Sequence, residues 1–386
     1  MLKRLAWVAI LIALCLGFLI SCGRSGSSTA STTSMYVVMQ GSAQIFGYRS
    51  NINSGGLSTI NGSPFTSEPA ALIVIDPAHT FAYVASQAGH VLSFAIDLNG
   101  TLGAMTTGPS LTATPLSMTM DSPGKFLFIG QADGSIAVFS IGSNASLTPA
   151  PGSPFVFAPN PAIPNTTTED PAALGVFSAT SGGSTTDFLY VVNSTLPNFT
   201  NGQVSIFSFD SSGVLSPASA NLAPLPVGTT PTAIAVSTSA NGNFIYVTNG
   251  GTNNVNGFAI DLTPGDVGNL LPMTNSPFSA GLHPVAAAVD PSNQFLYVVD
   301  QNSNQISGYR ITRVNGNLTP LSNSPYNTGA APVAIGISPT NKFLYVSDNS
   351  SNTITPYSID APSGNIGPLS AAVSTGPLPA GIAFGK

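Results

Sequence analysis

Short apolar runs alternate with turn-forming residues along almost the whole chain. The stretch 284–321 is representative: it contains an Ala/Val-rich run, an aromatic run, an alternating run and a short Leu-Thr-Pro-Leu run. Runs of four to eight residues with β-branched and aromatic side chains, bounded by Gly, Pro, Asn or Asp, are typical of β-strands. Four such strands in about 50 residues are typical of one blade of a β-propeller. Because no helical periodicity follows residue 22, the pattern predicts an all-β chain.

One run recurs seven times, with an aromatic residue at Tyr36, Tyr83, Phe128, Tyr190, Tyr246, Tyr297 and Tyr345. An Ala/Val-rich run precedes six of these copies, and the seventh Ala/Val-rich run, 380–385, stands at the C-terminus instead. We therefore predict a seven-bladed β-propeller of four-stranded antiparallel blades over residues 35–386. The C-terminal strand is expected to join the N-terminal blade, because closure removes the last open sheet edge.

Blades three and four depart from the repeat. Residues 156–170 form an insertion rich in Pro and Asn, and residues 178–187 and 193–203 are predicted to lengthen two further turns. Loops are where a repeat scaffold presents functional residues, although such insertions also vary neutrally. We interpret them as variation of the scaffold and keep a functional role as the alternative.

The N-terminus has the features of a targeting segment. Lys3 and Arg4 precede an apolar run, residues 5–20, that is short for a membrane span. The run ends in Leu-Ile-Ser-Cys22, which resembles the lipobox of bacterial lipoproteins. The resemblance implies a signal peptide at 1–21, a lipid on Cys22 and, because Gly23 follows, transfer to the outer membrane. An ordinary secretory signal is the alternative, and residues 22–34 are predicted to form a flexible tether.

Cysteine content and charge narrow the classes of function. Cys22 would be the single cysteine after cleavage, so we expect no intrachain disulfide, no Cys-bound metal and no haem attachment. Cleavage would leave seven basic against fifteen acidic residues, a net charge of −8 with neutral His. The lack of a basic patch argues against a nucleic-acid partner and against docking on anionic lipid. No cofactor or metal is predicted.

The repeated Phe-Leu-Tyr-Val runs, Asp-Pro turns and Leu-Thr-Pro…Ser-Pro-Phe segments resemble the YVTN-type β-propellers. Within these they are similar to the seven-bladed lactonase-like group that includes 6-phosphogluconolactonase. The resemblance implies hydrolysis of a sugar lactone, and lactonases of this group tend to carry a His two residues after the Pro of the inner strand. They also tend to carry a Glu within Val-Asn-Glu, where this chain has Asp300-Gln301 and Asp348-Asn349. The positions that correspond to the His hold alanine instead, at Ala71, Ala173, Ala233, Ala286 and Ala334.

Candidate ligand-binding residues come from the repeat itself. The residue before the inner-strand Pro should lie at one mouth of the central channel in every blade. In chain order these residues are Glu68, Thr114, Asp170, Thr230, His283, Ala331 and Leu378. We interpret the polar ones as a site for a hydrated cation or a small polar molecule; the alternative is that each caps its own loop. Zinc is not expected, because its ligands must lie about 2.0–2.2 Å from one ion and residues from alternate blades seldom converge so closely.

The remaining histidines, His79 and His90, are interpreted as solvated turn residues. The sequence thus predicts a lipid-anchored propeller of the cell envelope that binds a saccharide, small molecule or protein without catalysis. A periplasmic lactonase is the alternative, and catalytic residues remain unassigned.

Overall fold

The computed structural model describes residues 32–156, 169–181, 183–195, 202–218, 224–239 and 242–385. Residues Thr32–Lys386 form one compact unit. The predicted signal peptide, most of the predicted tether and residues 157–168 of the blade-three insertion lie outside the described residues. The described part contains 34 β-strands and two short 3-10 helices, Ser143–Ala145 and Gln301–Ser303.

The strands are numbered along the chain. The first seventeen are β1 Thr32–Met39, β2 Gln44–Asn51, β3 Leu57–Thr59, β4 Phe65–Thr66, β5 Ala70–Ile75, β6 Phe81–Ser86, β7 His90–Ala95, β8 Thr106–Ser110, β9 Pro115–Met120, β10 Phe126–Gln131, β11 Ser135–Ile141, β12 Leu147–Pro149, β13 Phe155–Val156, β14 Glu169–Ser181, β15 Ser184–Thr195, β16 Gly202–Phe209 and β17 Leu215–Pro217. The others are β18 Leu225–Val227, β19 Pro231–Ser239, β20 Gly242–Asn249, β21 Asn254–Ile260, β22 Leu270–Pro272, β23 Phe278–Ser279, β24 Pro284–Val289, β25 Phe295–Asp300, β26 Gln305–Ile311, β27 Leu318–Pro320, β28 Tyr326–Asn327, β29 Pro332–Ile337, β30 Phe343–Asp348, β31 Thr353–Ile359, β32 Ile366–Pro368, β33 Val373–Ser374 and β34 Pro379–Phe384.

The described strands form seven antiparallel sheets, one for each predicted blade. From the channel outwards, blades 2 to 7 begin with β5, β9, β14, β19, β24 and β29, and each continues with the next three strands in sequence. Blade 1 has the order β34-β1-β2-β3, and β34 pairs with β1 through Met35–Phe384 and Val37–Ile382. The predicted seven-bladed ring and its closure by the C-terminal strand are therefore confirmed.

The turn between the first and second strand of a blade is fixed by a polar side chain. In blade 3, Oδ1 of Asp121 accepts hydrogen bonds from the backbone N–H groups of Lys125 and Phe126, both at 2.7 Å. Asp76, Asp290 and Ser338 accept the equivalent bond in blades 2, 6 and 7. These contacts satisfy backbone donors that the turn leaves free, as the repeated Asp-Pro and Ser-Pro pairs predict.

Tyrosines of the second strands connect neighbouring blades. Tyr246, in blade 5, is fully buried, and its hydroxyl donates a hydrogen bond of 2.7 Å to the carbonyl oxygen of Gly316 in blade 6. Each accepting glycine has a positive φ in the turn between the third and fourth strands, a conformation that glycine adopts without strain. The same bond joins four other blade pairs, through Tyr36–Gly100, Tyr190–Gly268, Tyr297–Gly364 and Tyr345–Gly55.

Blade 3 is the exception to this pattern. Phe128 replaces the tyrosine, and the Tyr83 hydroxyl of blade 2 is buried with no hydrogen-bond partner among the described residues. The turn of blade 3 that would accept the bond is the 3-10 segment Ser143–Ala145, which has no glycine. Both interfaces of blade 3 therefore lack the tyrosine–glycine hydrogen bond that joins the other blades.

The prediction that residues 178–187 form a lengthened turn is wrong. Strands β14 and β15 continue through this segment and pair from Ser178–Asp187 to Ser181–Ser184. Strand β14 has 13 residues, whereas the inner strands of blades 2, 3, 6 and 7 have six. The extra residues extend the sheet because Ser and Thr tolerate a β conformation beyond the ring.

The antiparallel order gives the ring two distinct faces. The upper face is the side of the ring on which the inner strands begin. It also carries the turns between the second and third strands. We call lower face the side where inner strands end, which carries the turns between first and second strands and between third and fourth strands.

Candidate functional site

A cavity of about 360 Å³ lies in the central channel, just inside the upper face. All seven inner strands contribute to its wall, largely through small or aliphatic side chains such as Ala71, Ala173 and Ala334. Each inner strand pairs with one neighbour only, so the backbone groups of its other edge face the channel axis. The cavity therefore offers uncharged donors and acceptors beside apolar surface.

The hydroxyl groups in this wall are already engaged. Ser117 donates to the carbonyl oxygen of Pro171 at 2.6 Å, and Thr232 lies 2.7 Å from the carbonyl oxygen of Pro284. Each bond links an inner strand to the next blade. Glu169 and Asp170, at the upper end of β14, are the only ionisable residues in the seven inner strands. Below these two residues, the seven described inner strands contribute no ionisable side chain to the channel wall.

Six of the seven predicted mouth residues lie at equivalent places, directly before the inner-strand proline that pairs with the end of the second strand. Glu68 is offset by one residue: Ala70 pairs with Ser86, and the N–H of Gln87 donates to the carbonyl oxygen of Pro69, so Pro69 takes the mouth position in blade 2. Backbone groups hold the mouth residues: the N–H group after the second strand donates to the carbonyl oxygen of Thr114, Thr230, His283, Ala331 or Leu378 in five blades. The N–H of His283 donates in turn to Asn253 Oδ1 of the preceding blade at 2.8 Å. Because backbone groups fix these five positions, their side chains are not required as loop caps.

Glu68 has a partner that the sequence did not suggest. Its two carboxylate oxygens lie 3.1 Å from Nδ1 of His90, which is on the same blade. A hydrogen bond from the Ser86 hydroxyl, followed by the contact with His90, lowers the pKa of Glu68. His90 is only about one-third exposed. Its interpretation as a solvated turn residue is therefore wrong, because its ring folds back onto the mouth.

Asp170 and His283 keep separate surroundings. Burial raises the pKa of Asp170, and its Oδ1 atom has no hydrogen-bond partner among the described residues. The Nδ1 atom of His283 lies 3.3 Å from the carbonyl oxygen of Gly250. Nowhere in the described part of the chain do three His, Cys, Asp or Glu side chains meet in a group that could hold a metal ion.

A second ring of polar residues lies directly behind the mouth, opposite the inner-strand prolines or, in blade 2, opposite Ala70. In blade 6, Asp300 pairs with Pro284 and is fully buried. Its Oδ2 atom accepts a 2.6 Å hydrogen bond from the Ser307 hydroxyl, and burial raises its pKa to about 6. The other buried members of this ring are Ser86, Gln131, Asn193, Asn249 and Asp348. The sequence signal for the ring is the polar residue at the end of each Phe-x-Tyr-Val run.

The turns around the upper mouth carry acidic residues but no Lys or Arg. The nine lysines and arginines stand at 3, 4, 24, 49, 125, 310, 313, 342 and 386, and none falls in the turns that surround this mouth. The acidic groups there include Glu68, Asp133 and Asp170. Proteins usually bind the oxygens of a phosphate group with Arg or Lys, so the mouth is poorly suited to a phosphorylated ligand.

The family model "Lactonase, 7-bladed beta-propeller" matches residues 27–156, 201–333 and 241–384 of the chain. The structure is similar to that of a proposed 6-phosphogluconolactonase of Bacteroides fragilis, with 21% identity, a TM-score of 0.74 and coverage of 94% of this chain and 100% of that one. It is also similar to the periplasmic gluconolactonase of Pseudomonas aeruginosa, with 18% identity, a TM-score of 0.74 and coverage of 92% and 99%. At these identities the likeness shows the fold. No curated protein matches the sequence.

Proposed function

The chain belongs to the family of seven-bladed β-propeller lactonases, and from this premise we propose that it is a binding member of that family. Its ligand is a small, uncharged, hydroxyl-rich molecule such as a saccharide, held at the upper mouth without turnover. The main support for the proposal is the composition of the channel wall: the seven described inner strands present free edges and small side chains, and they carry no ionisable residue below Glu169 and Asp170. Hydrolysis needs a general base and a stabiliser of the oxyanion, and the channel interior supplies neither as a side chain.

The volume and chemistry of the cavity agree with such a ligand. A cavity of about 360 Å³ lies within the usual range of about 300–1,000 Å³ for small-molecule sites. A ligand hydroxyl can donate to the free carbonyl oxygens of the inner strand edges and accept from their free N–H groups. Glu68, which contacts His90, and Asp170 add carboxylate acceptors at the rim, where no Lys or Arg stands in the surrounding turns.

A second candidate function is hydrolysis of an unphosphorylated sugar lactone, and the contact between Glu68 and His90 favours it. A carboxylate on one imidazole nitrogen orients the ring and strengthens the other nitrogen as a base. The lack of Lys and Arg at the mouth restricts this alternative to substrates without phosphate.

One titration experiment separates the two functions. The probes are D-glucono-1,5-lactone and the non-hydrolysable polyol 1,5-anhydroglucitol, with binding followed by calorimetry and hydrolysis by pH-stat. We expect both to bind without turnover, and Glu68→Gln to weaken binding by about tenfold, because hydrogen bonds to a charged group contribute about 1.5–3 kcal/mol. Asp97→Asn, on the lower face, is the control. Turnover that His90→Asn abolishes would establish the lactonase, and a lack of binding by either probe would refute the proposed site.

We also propose that the protein is exported and anchored at the outer membrane by a lipid on Cys22, which supports a role in the cell envelope. The lipobox-like sequence and Gly23 are the support for this step. Among the described residues, no helix has the length and apolarity needed to cross a membrane. Cys22→Ser should release the protein from the membrane fraction, and an unchanged membrane fraction would contradict the anchor.

A further inference from the structure

We propose that the lower face of the ring rests on a zwitterionic phospholipid bilayer, into which aliphatic tips of the turns between third and fourth strands insert. This inference rests on the proposed lipid anchor, since it assigns an orientation to the anchored protein. It places the upper mouth on the side away from the lipid, where a soluble ligand reaches it.

The chain joins the ring on the lower face. Strand β1 is the second strand of blade 1, and second strands begin on that face, so Thr32 lies there. The turn of blade 2 lies against this start, because the Tyr36 hydroxyl donates to the carbonyl oxygen of Gly100 at 2.6 Å. Nine residues separate Cys22 from Thr32, and ten steps along an extended chain reach at most about 35 Å. A lipid on Cys22 would keep the lower face within that distance of the bilayer.

The tips of several lower-face turns are unusually apolar. Leu98 in blade 2 is 96% exposed, Val314 in blade 6 is 85% exposed and Leu262 in blade 5 is 42% exposed. Blade 1 carries the partly exposed Ile52 at the corresponding turn, and blade 7 carries Ala361. These five blades are consecutive around the closed ring, whereas the turns of blades 3 and 4 present serine. Single exposed leucines are common, but a consecutive arc on one face suits an interface.

Arginines accompany the same arc. Arg49 donates to the carbonyl oxygen of Asn99, beside Leu98, at 2.7 Å, and Arg310 donates to that of Pro362 in the turn of blade 7 at 2.9 Å. Arg313 directly precedes Val314. When the apolar tips are inserted, guanidinium groups just behind them would lie at the level of the lipid phosphates and could donate hydrogen bonds to them.

The charge of the arc selects the type of lipid. Arg313 lies in these turns, and Arg49 and Arg310 lie in the third strands that lead into them. The turns also carry four aspartates, Asp97, Asp261, Asp266 and Asp360. The arc is thus nearly neutral, and the chain as a whole is acidic. An anionic surface would repel the protein, whereas a zwitterionic surface accepts the apolar tips without that penalty.

The test uses the chain from Arg24 onwards, which contains every described strand and no cysteine. An N-terminal His tag holds it on phosphatidylcholine vesicles that contain a nickel-chelating lipid, so tethering does not depend on Cys22. Single cysteines carrying an environment-sensitive fluorophore are introduced as Leu98→Cys and Val314→Cys. The matched controls are Leu282→Cys and Leu378→Cys on the upper face, where the leucines are 56% and 42% exposed.

We expect a several-fold rise in emission, and quenching by nitroxide lipids, at positions 98 and 314 but not at 282 and 378. Without the tag, the double variant Leu98→Ser/Val314→Ser should lower partition onto phosphatidylcholine by about a hundredfold, because two aliphatic side chains no longer transfer into the bilayer. Equal signals on both faces, or stronger salt-dependent binding to phosphatidylglycerol, would overturn the inference. Failure of the anchor itself appears separately, as an unchanged membrane fraction of Cys22→Ser.

Discussion

The buried carboxylate of Asp300 makes folding stability depend on pH. Its Oδ2 atom accepts a hydrogen bond from Ser307, whereas its Oδ1 atom is buried with no partner among the described residues. Burial opposes the charged form and raises the pKa of Asp300 from its usual 3.8 to about 6. Because the folded pKa is the higher one, the stability linked to this group is fully present below about pH 4 and is lost as pH rises through about 6.

The magnitude follows from the two pKa values. A change from 3.8 to about 6 corresponds to about 3 kcal/mol, and Asp300 is fully buried, so solvent screening does not reduce it much. Asp300→Asn removes the titration. We therefore expect the variant to gain about 3 kcal/mol of unfolding free energy relative to the wild type between pH 4 and pH 8. Charges elsewhere in the protein cancel in this difference.

The assay is urea unfolding at pH 4, 5, 6, 7 and 8, followed by tyrosine fluorescence and circular dichroism to check that one transition is observed. Blade 5 provides the matched design, because Asn249 occupies the equivalent place and its Nδ2 atom lies 2.8 Å from Asn256 Oδ1. The double variant Asp300→Asn/Ser307→Asn rebuilds that amide pair and should show the same pH-independence. A difference from wild type that stays constant across the pH range would refute the reasoning.

Two further predictions concern the ring. Tyr246→Phe removes the bond to Gly316 between blades 5 and 6 and leaves a buried carbonyl oxygen unpaired, so it should cost about 1–3 kcal/mol in denaturant unfolding. Tyr83→Phe, whose hydroxyl has no partner among the described residues, should cost little; equal losses would contradict this role of the hydroxyl. Ile382→Asp places a charge in the closing strand beside Val37 and should make the protein aggregate, which size-exclusion chromatography would show as a shift to larger species than the wild type. An elution profile of that variant equal to that of the wild type would show that closure is dispensable.

The fold could be predicted from the sequence because its determinants are local and repeated. Each Phe-x-Tyr-Val run specifies a buried second strand, and each Asp-Pro or Ser-Pro pair specifies a turn whose side chain accepts the backbone N–H groups. The displaced last copy, residues 380–385, predicted the closure through Val37 and Ile382. The extension of β14 and β15 was missed, because residues 178–187 have the Ser, Thr and Gly content of a loop and pair only where the hairpin supports them.

For the candidate site, part could be predicted from the sequence and part depended on the tertiary structure. The sequence by itself determined which residues precede the inner strands in six blades, because these follow from position in the repeat, and it determined that the described inner strands are almost free of ionisable residues. In blade 2 the strand register moved the mouth position from Glu68 to Pro69. Only the tertiary structure decided that Glu68 meets His90 and that Asp300 loses its contact with water. The physical reason is that a contact between side chains and the burial of a carboxylate depend on how strands and blades pack in space, which no single run of residues contains.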